Sequence, residues 1–79
     1  MERICELGAK NVLIQQEIDG LKAILDNINI VVSGQVTWQE DIVLSLVSNN
    51  IKNDIELLEF DKENNKKEMA NLLLQSLSL

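Results

Sequence analysis

Ser33-Gly34-Gln35-Val36-Thr37-Trp38-Gln39-Glu40 ends one helical pattern and starts another. Gly34 can take the left-handed conformation that closes a helix C-terminus. Thr37 and Glu40 have the spacing of a capping box, in which the hydroxyl serves the third backbone N–H and the carboxylate reaches back. A short connection of this kind turns the chain back on itself. The expected fold is therefore all-α: a long antiparallel helical hairpin with helices over about 2–33 and 38–64, in a single domain spanning 1–79.

Upstream of the turn, Ile4, Leu7, Asn11, Ile14, Ile18, Leu21, Leu25, Ile28 and Val32 alternate in steps of three and four. That is the seam of a helix lying along another helix. At ~1.5 Å per residue, a helix of ~30 residues is ~45 Å long, and only a neighbouring helix can support it along its length. Ile14, Ile18, Leu21, Leu25 and Ile28 are the expected hairpin core. Asn11 occupies an a-type seam position. Buried, it must find a polar match and can fix register; at a frayed end it is hydrated. Leu13, Ile24 and Val31 flank the seam, and Ile30 lies nearly opposite it.

Downstream, Asp41, Ser45, Ser48, Lys52, Glu56, Glu59 and Glu63 recur at steps of three and four as one polar stripe. The apolar remainder, from Ile42 to Phe60, covers an arc of roughly 200°, about twice the ~100° stripe that one partner surface needs. Folding the hairpin hides about half of it. The rest is expected to be a protein interface, made of Leu44, Val47, Ile51, Ile55 and Leu58. Met69, Leu72 and Leu73, from the leucine-rich end, complete it.

The octet Asp61-Lys62-Glu63-Asn64-Asn65-Lys66-Lys67-Glu68 is either an exposed helix turn or a break. Asn65 with Glu68 three residues on is a second N-cap signal and favours a short third helix over 66–77. The alternative is one uninterrupted helix of ~60 Å.

Composition narrows the function. In 79 residues there are no His, no Pro, no Tyr and one Cys, with 46% hydrophobic residues and a formal charge of −6. A chain this small buries only about 60% of the surface its unfolded form exposes, so a lone core is marginal. One cysteine excludes an internal disulfide, and without His there is no zinc set. Partner chains are the remaining source of stability. The acidic balance repels phosphate backbones, and the polar stripe is not the basic face that membrane-surface binding requires. Partners are expected to be proteins, a second copy or another helical chain, and neither nucleic acid nor membrane; an oligomer is expected. No cofactor is expected. Met1-Glu2-Arg3-Ile4 lacks the form of a secretory leader, and no apolar run approaches the ~20 residues of a membrane span. The expected location is the cytoplasm.

Catalytic chemistry has few candidates. Glu17, Glu40, Asp54 and Glu56 are the carboxylates considered for acid–base work, and solvated helix faces account for them better. Asp54 differs in falling between Ile51 and Leu57 on the apolar side, where it can meet a Lys or Arg across an interface. Cys5 has no His to activate it. Trp38 either covers the hairpin end or anchors a partner.

The glycine at the turn and the aromatic-Gln pair Trp38-Gln39, flanked by a seam ending at Val32 and a helix beginning at Thr37, resemble the small hairpin co-chaperones of bacterial type III secretion needle subunits. The resemblance implies a cytoplasmic subunit that pairs with a larger helical-repeat chaperone and keeps a self-polymerising needle protein soluble. The secreted WXG-type hairpins differ, because Trp38 is followed by Gln39 and Glu40 rather than x-Gly. The reading is a non-enzymatic interaction subunit packing into a homo-oligomeric or heteromeric bundle, with a chaperone or assembly role in secretion as its specific form. The alternative is an acidic inhibitor or nucleic-acid mimic on a basic protein surface.

Overall fold

A computed structural model describes residues 2–34 and 37–77. Two helices, α1 (Glu2–Val32) and α2 (Trp38–Leu77), pack along one another as a hairpin, in a rod of 63 × 15 × 13 Å. Among the described residues there is no strand.

The turn is built from its punctuation, with one difference. Ser33 N–H donates to Asn29 O at 3.0 Å, and Gly34 N–H then donates to Val31 O at 3.1 Å, so α1 tightens into an i→i−3 bond as it ends. The Ser33 hydroxyl donates to Ile30 O at 2.7 Å and satisfies another terminal carbonyl. No described glycine has a positive φ, so Gly34 does not supply the left-handed cap expected of it. The tightened last turn and the Ser33 hydroxyl use the carbonyls that such a cap serves. Gln35 and Val36 lie outside the described residues. On the far side, Glu40 N–H donates to Thr37 Oγ1 at 3.2 Å and Asp41 N–H to Thr37 O at 3.0 Å, the hydroxyl half of the capping box. Trp38 opens α2 and is 70% exposed, so it does not pack over the hairpin end.

The third helix is not formed: α2 runs unbroken through 61–68 to Leu77. The octet is polar because it matches Asn11. Asn65 Nδ2 donates to Asn11 Oδ1 at 2.8 Å, Asn11 Nδ2 donates to Lys62 O at 3.2 Å, and Lys62 Nζ donates to Gln15 Oε1. The Asn65 side chain, committed to α1, is not used as a cap. Lys and Glu around it are good helix formers, so nothing else interrupts the helix.

The α2 seam therefore runs Leu44, Ser48, Ile51, Ile55, Leu58, Lys62, Asn65, Met69 and Leu72, every one buried or half-buried. Alternating threes and fours carry it the whole length of α1. Ile18, Ile51 and Ile55 form the core, with Ile14, Leu21, Leu25, Ile28 and Leu58 packed against them. The five expected α1 core residues are all in it. Leu7 and Ile18 are the most enclosed side chains, each 1% exposed. Ion pairs trim the edges: Arg3–Glu68 at 2.8 Å and Lys22–Glu59 at 3.9 Å cross between the helices. The Glu68 hydrogen bond and charge raise the already high pKa of Arg3. With both side chains about half exposed, such pairs add little stability.

Candidate protein-interaction flank

The expected partner surface divides. Ile51 and Ile55 are buried against Ile18, and Leu44, Leu58, Met69 and Leu72 are half-buried on the same seam. These six face the other helix of their own hairpin and are not an outward surface. Only Val47 and Leu73 stand in the open, at 41% and 45% exposure. The difference has a physical source. A 200° arc can dock α1 on either of its sides, and the Asn11 match at Lys62 and Asn65, one to two heptads further along, decides which.

Correct register then shows what is left uncovered. Arg3 pairs with Glu68 along one flank of the hairpin. Heptad steps from that pair set Lys10 opposite Asp61, Glu17 opposite Asp54, Ile24 opposite Val47, and Val31 opposite Glu40. Surface hollows agree with these pairings. One is lined by Glu17, Leu21, Asp54, Leu57 and Leu58, and an adjoining one by Glu17, Gly20, Leu21 and Ile24. Nearer the turn a hollow of about 440 Å³ is lined by Val31, Gln39, Glu40, Val43 and Leu44. Together they trace an open groove along one side of the seam.

Position by position, the flank is unlike that of a two-stranded coiled coil. Charged residues ordinarily occupy the sites beside the seam. Arg3, Glu68, Lys10 and Asp61 conform, but Ile24, Val31 and Val47 do not, and each is 41–52% exposed. Val43 and Leu57, 58% and 64% exposed, widen the apolar strip on α2. Helices that are apolar at a, d and one flanking position have two neighbours, and here each has one. The other flank carries the Lys22–Glu59 pair and the Gln15–Lys62 hydrogen bond. Polar contacts close it at those two levels, and near the end of α2 it carries Leu73, 45% exposed.

The elongated rod also exposes more surface, over all its faces together, than a globular chain of its size. The chain exposes 6003 Å². A globular monomer of its 8.9 kDa mass exposes ~4800 Å². The excess is larger than the ~800 Å² that each partner commits to a standard interface.

Within the groove Glu17 and Asp54 line the same hollow, and neither has a hydrogen-bond or ion-pair partner among the described residues. Among the described residues no group of three or more His, Cys, Asp or Glu side chains is placed to hold a metal ion. Cys5 is exposed and in no disulfide. No described helix is long and apolar enough to cross a membrane.

The signal for this flank lies in the sequence. Ile24 and Val31 beside the α1 seam, and Val43, Val47 and Leu57 in the α2 arc, are the residues that form it, yet of these the sequence reading places only Val47 on the partner surface. Compared with protein-family models, characterised proteins and solved structures, the chain has no significant match.

Proposed function

We propose that the chain is a non-enzymatic interaction subunit, a helical hairpin that completes its apolar packing inside a larger helix bundle. The observation that carries this is the apolar flank Ile24, Val31, Val43 and Val47, continuous with the internal seam and open to solvent. Exposed apolar strips of this kind mark interaction surfaces. In its more specific form the reading is a cytoplasmic co-chaperone or assembly subunit of a secretion system. The hairpin shape and the Gly34 and Trp38-Gln39 resemblance support that form. The acidic-inhibitor reading is the weaker one, because Glu17 and Asp54 sit within an apolar groove rather than on a broad acidic face.

The test is the solution mass of the chain by light scattering on a sizing column at two concentrations, for the natural sequence and for Ile24→Asp/Val47→Asp. A discrete oligomer that persists on dilution, or aggregation, is expected of the natural chain; the variant should be a soluble helical monomer. If the natural chain is a monodisperse monomer up to millimolar concentration, indistinguishable from the variant, and binds no other helix through this flank, the interaction reading fails.

A further inference from the structure

Resting on that reading, we infer that the groove takes a basic amphipathic helix from a different protein, with a Lys or Arg of that helix between Glu17 and Asp54. Two facing carboxylates without a cation are a mismatch that the hairpin does not need for its own folding. At the facing positions two heptads away the same flank carries the Arg3–Glu68 ion pair, and one heptad away Lys10 stands at the level of Asp61 with its ammonium 3.8 Å from Glu6 of its own helix. A local conflict of this sort within an otherwise consistent pattern marks a site that something else completes. A cation there would be held by two carboxylates, with Leu21, Leu57 and Leu58 lining the walls.

The rest of the flank sets the occupant's pattern. One heptad from Glu17 and Asp54 toward the turn, ~10 Å along the axis, stand Ile24 and Val47, and one heptad further Val31 with Val43 beside it. The partner must therefore carry large apolar residues one and two heptads from its basic residue. Between these levels lies Gly20, where a Cβ would meet nothing within 4 Å. That open space lets a helix backbone approach closely.

A second copy of this chain fits poorly. In parallel pairing, or with a two-fold axis at the Glu17–Asp54 level, four carboxylates converge. With the axis at the Ile24–Val47 level, each Glu17–Asp54 pair faces Glu40 of the other copy. With the axis between the Lys10 and Glu17 levels one cation, Lys10, meets three carboxylates, Ile24 and Val47 face Arg3 and Glu68, and the apolar turn end stays uncovered. A net charge of −6 on each copy adds repulsion to every arrangement.

The experiment uses the full chain and two labelled Ala-based helical peptides of about 24 residues, long enough to span the groove at ~1.5 Å per residue. Both carry leucines one and two heptads from a site near one end, which is Arg in one peptide and Glu in the other. Fluorescence anisotropy should show the Arg peptide binding at least about 10-fold tighter, a preference that shrinks in high salt. Glu17→Lys/Asp54→Lys should invert the preference, and the milder Glu17→Gln/Asp54→Asn should erase it, with helical content by circular dichroism retained in both. Equal binding of the two peptides, or a preference unchanged in both variants, overturns the inference. A chain that binds neither peptide but forms a discrete oligomer alone overturns it while leaving the bundle reading intact. A chain that binds neither and remains a monomer overturns both.

Discussion

Asn65 of α2 donates its side-chain amide to Asn11 Oδ1 of α1 at 2.8 Å, across 54 residues of sequence. Asn11 in turn donates to the Lys62 carbonyl at 3.2 Å, an oxygen that α2 also uses in its own ladder. The layer is polar on both sides of the seam, and sliding either helix by one heptad would set an amide against Leu, Ile or Met. It fixes register at an expense in stability that an apolar layer would not carry.

Asn11→Leu should therefore destabilise the hairpin by ~1–2 kcal/mol, since it leaves the half-buried Asn65 amide without its acceptor. Asn11→Leu/Asn65→Leu should recover that loss or exceed the natural stability. Urea unfolding followed by circular dichroism reads both. A single variant as stable as the double would mean that water already serves Asn65 and the pairing sets nothing.

Ile18, Ile51 and Ile55 are the hairpin's own core, so changes there should act on folding before they act on any partner. Ile18→Ala is expected to cost ~2–5 kcal/mol. In a domain this small that is most of the stability. Ile51→Asp/Ile55→Asp should leave the chain largely unfolded, whereas Val43→Asp, on the open flank, should keep the full helical signal. Retention of helix in the double variant would contradict a register that buries Ile51 and Ile55 against Ile18.

Most of the fold was legible because it depends on local, repeated signals. The seam from Ile4 to Val32, the hydroxyl cap of Thr37 and the ends of both helices at the turn each follow from a few neighbouring residues. The octet at 61–68 was not legible by the same means. Its N-cap signal at Asn65 is local and genuine as a pattern, but a residue on the opposite helix claims the side chain. The partner surface was misplaced for the same reason. Which side of the α2 arc meets α1 is settled by Lys62 and Asn65, residues outside the arc. What sequence periodicity does capture is that the arc is too wide for one neighbour.

Glycine substitutions separate helix propensity from packing. A Cβ at Gly8 or Gly20 meets nothing within 4 Å, and both lie inside α1. Gly8→Ala and Gly20→Ala should each stabilise the hairpin by roughly 0.5–1 kcal/mol. Gly34→Ala has no positive φ to strain, but its Cβ would lie 3.3 Å from Val31 O, so its effect should stay within about 1 kcal/mol of zero. Thermal melts of the three variants decide it; a loss well beyond that at Gly34 would restore the left-handed cap.

Glu17→Lys offers the sharpest contrast between stability and function. It converts a facing pair of carboxylates into the same kind of inter-helix ion pair that Arg3 makes with Glu68. In the free hairpin the change should be stabilising by ~0.5 kcal/mol at low salt, the usual scale for exposed charges, and should fade in 1 M salt as screening shortens to ~3 Å. The same change removes half of the negative site that a partner's cation requires, so affinity for the Arg peptide should fall as stability rises. Gain of stability with loss of binding is the signature of a residue kept for what it meets outside its own chain. If Glu17→Lys instead destabilises the free hairpin, the two carboxylates do not face each other, and the cation site between them is not there.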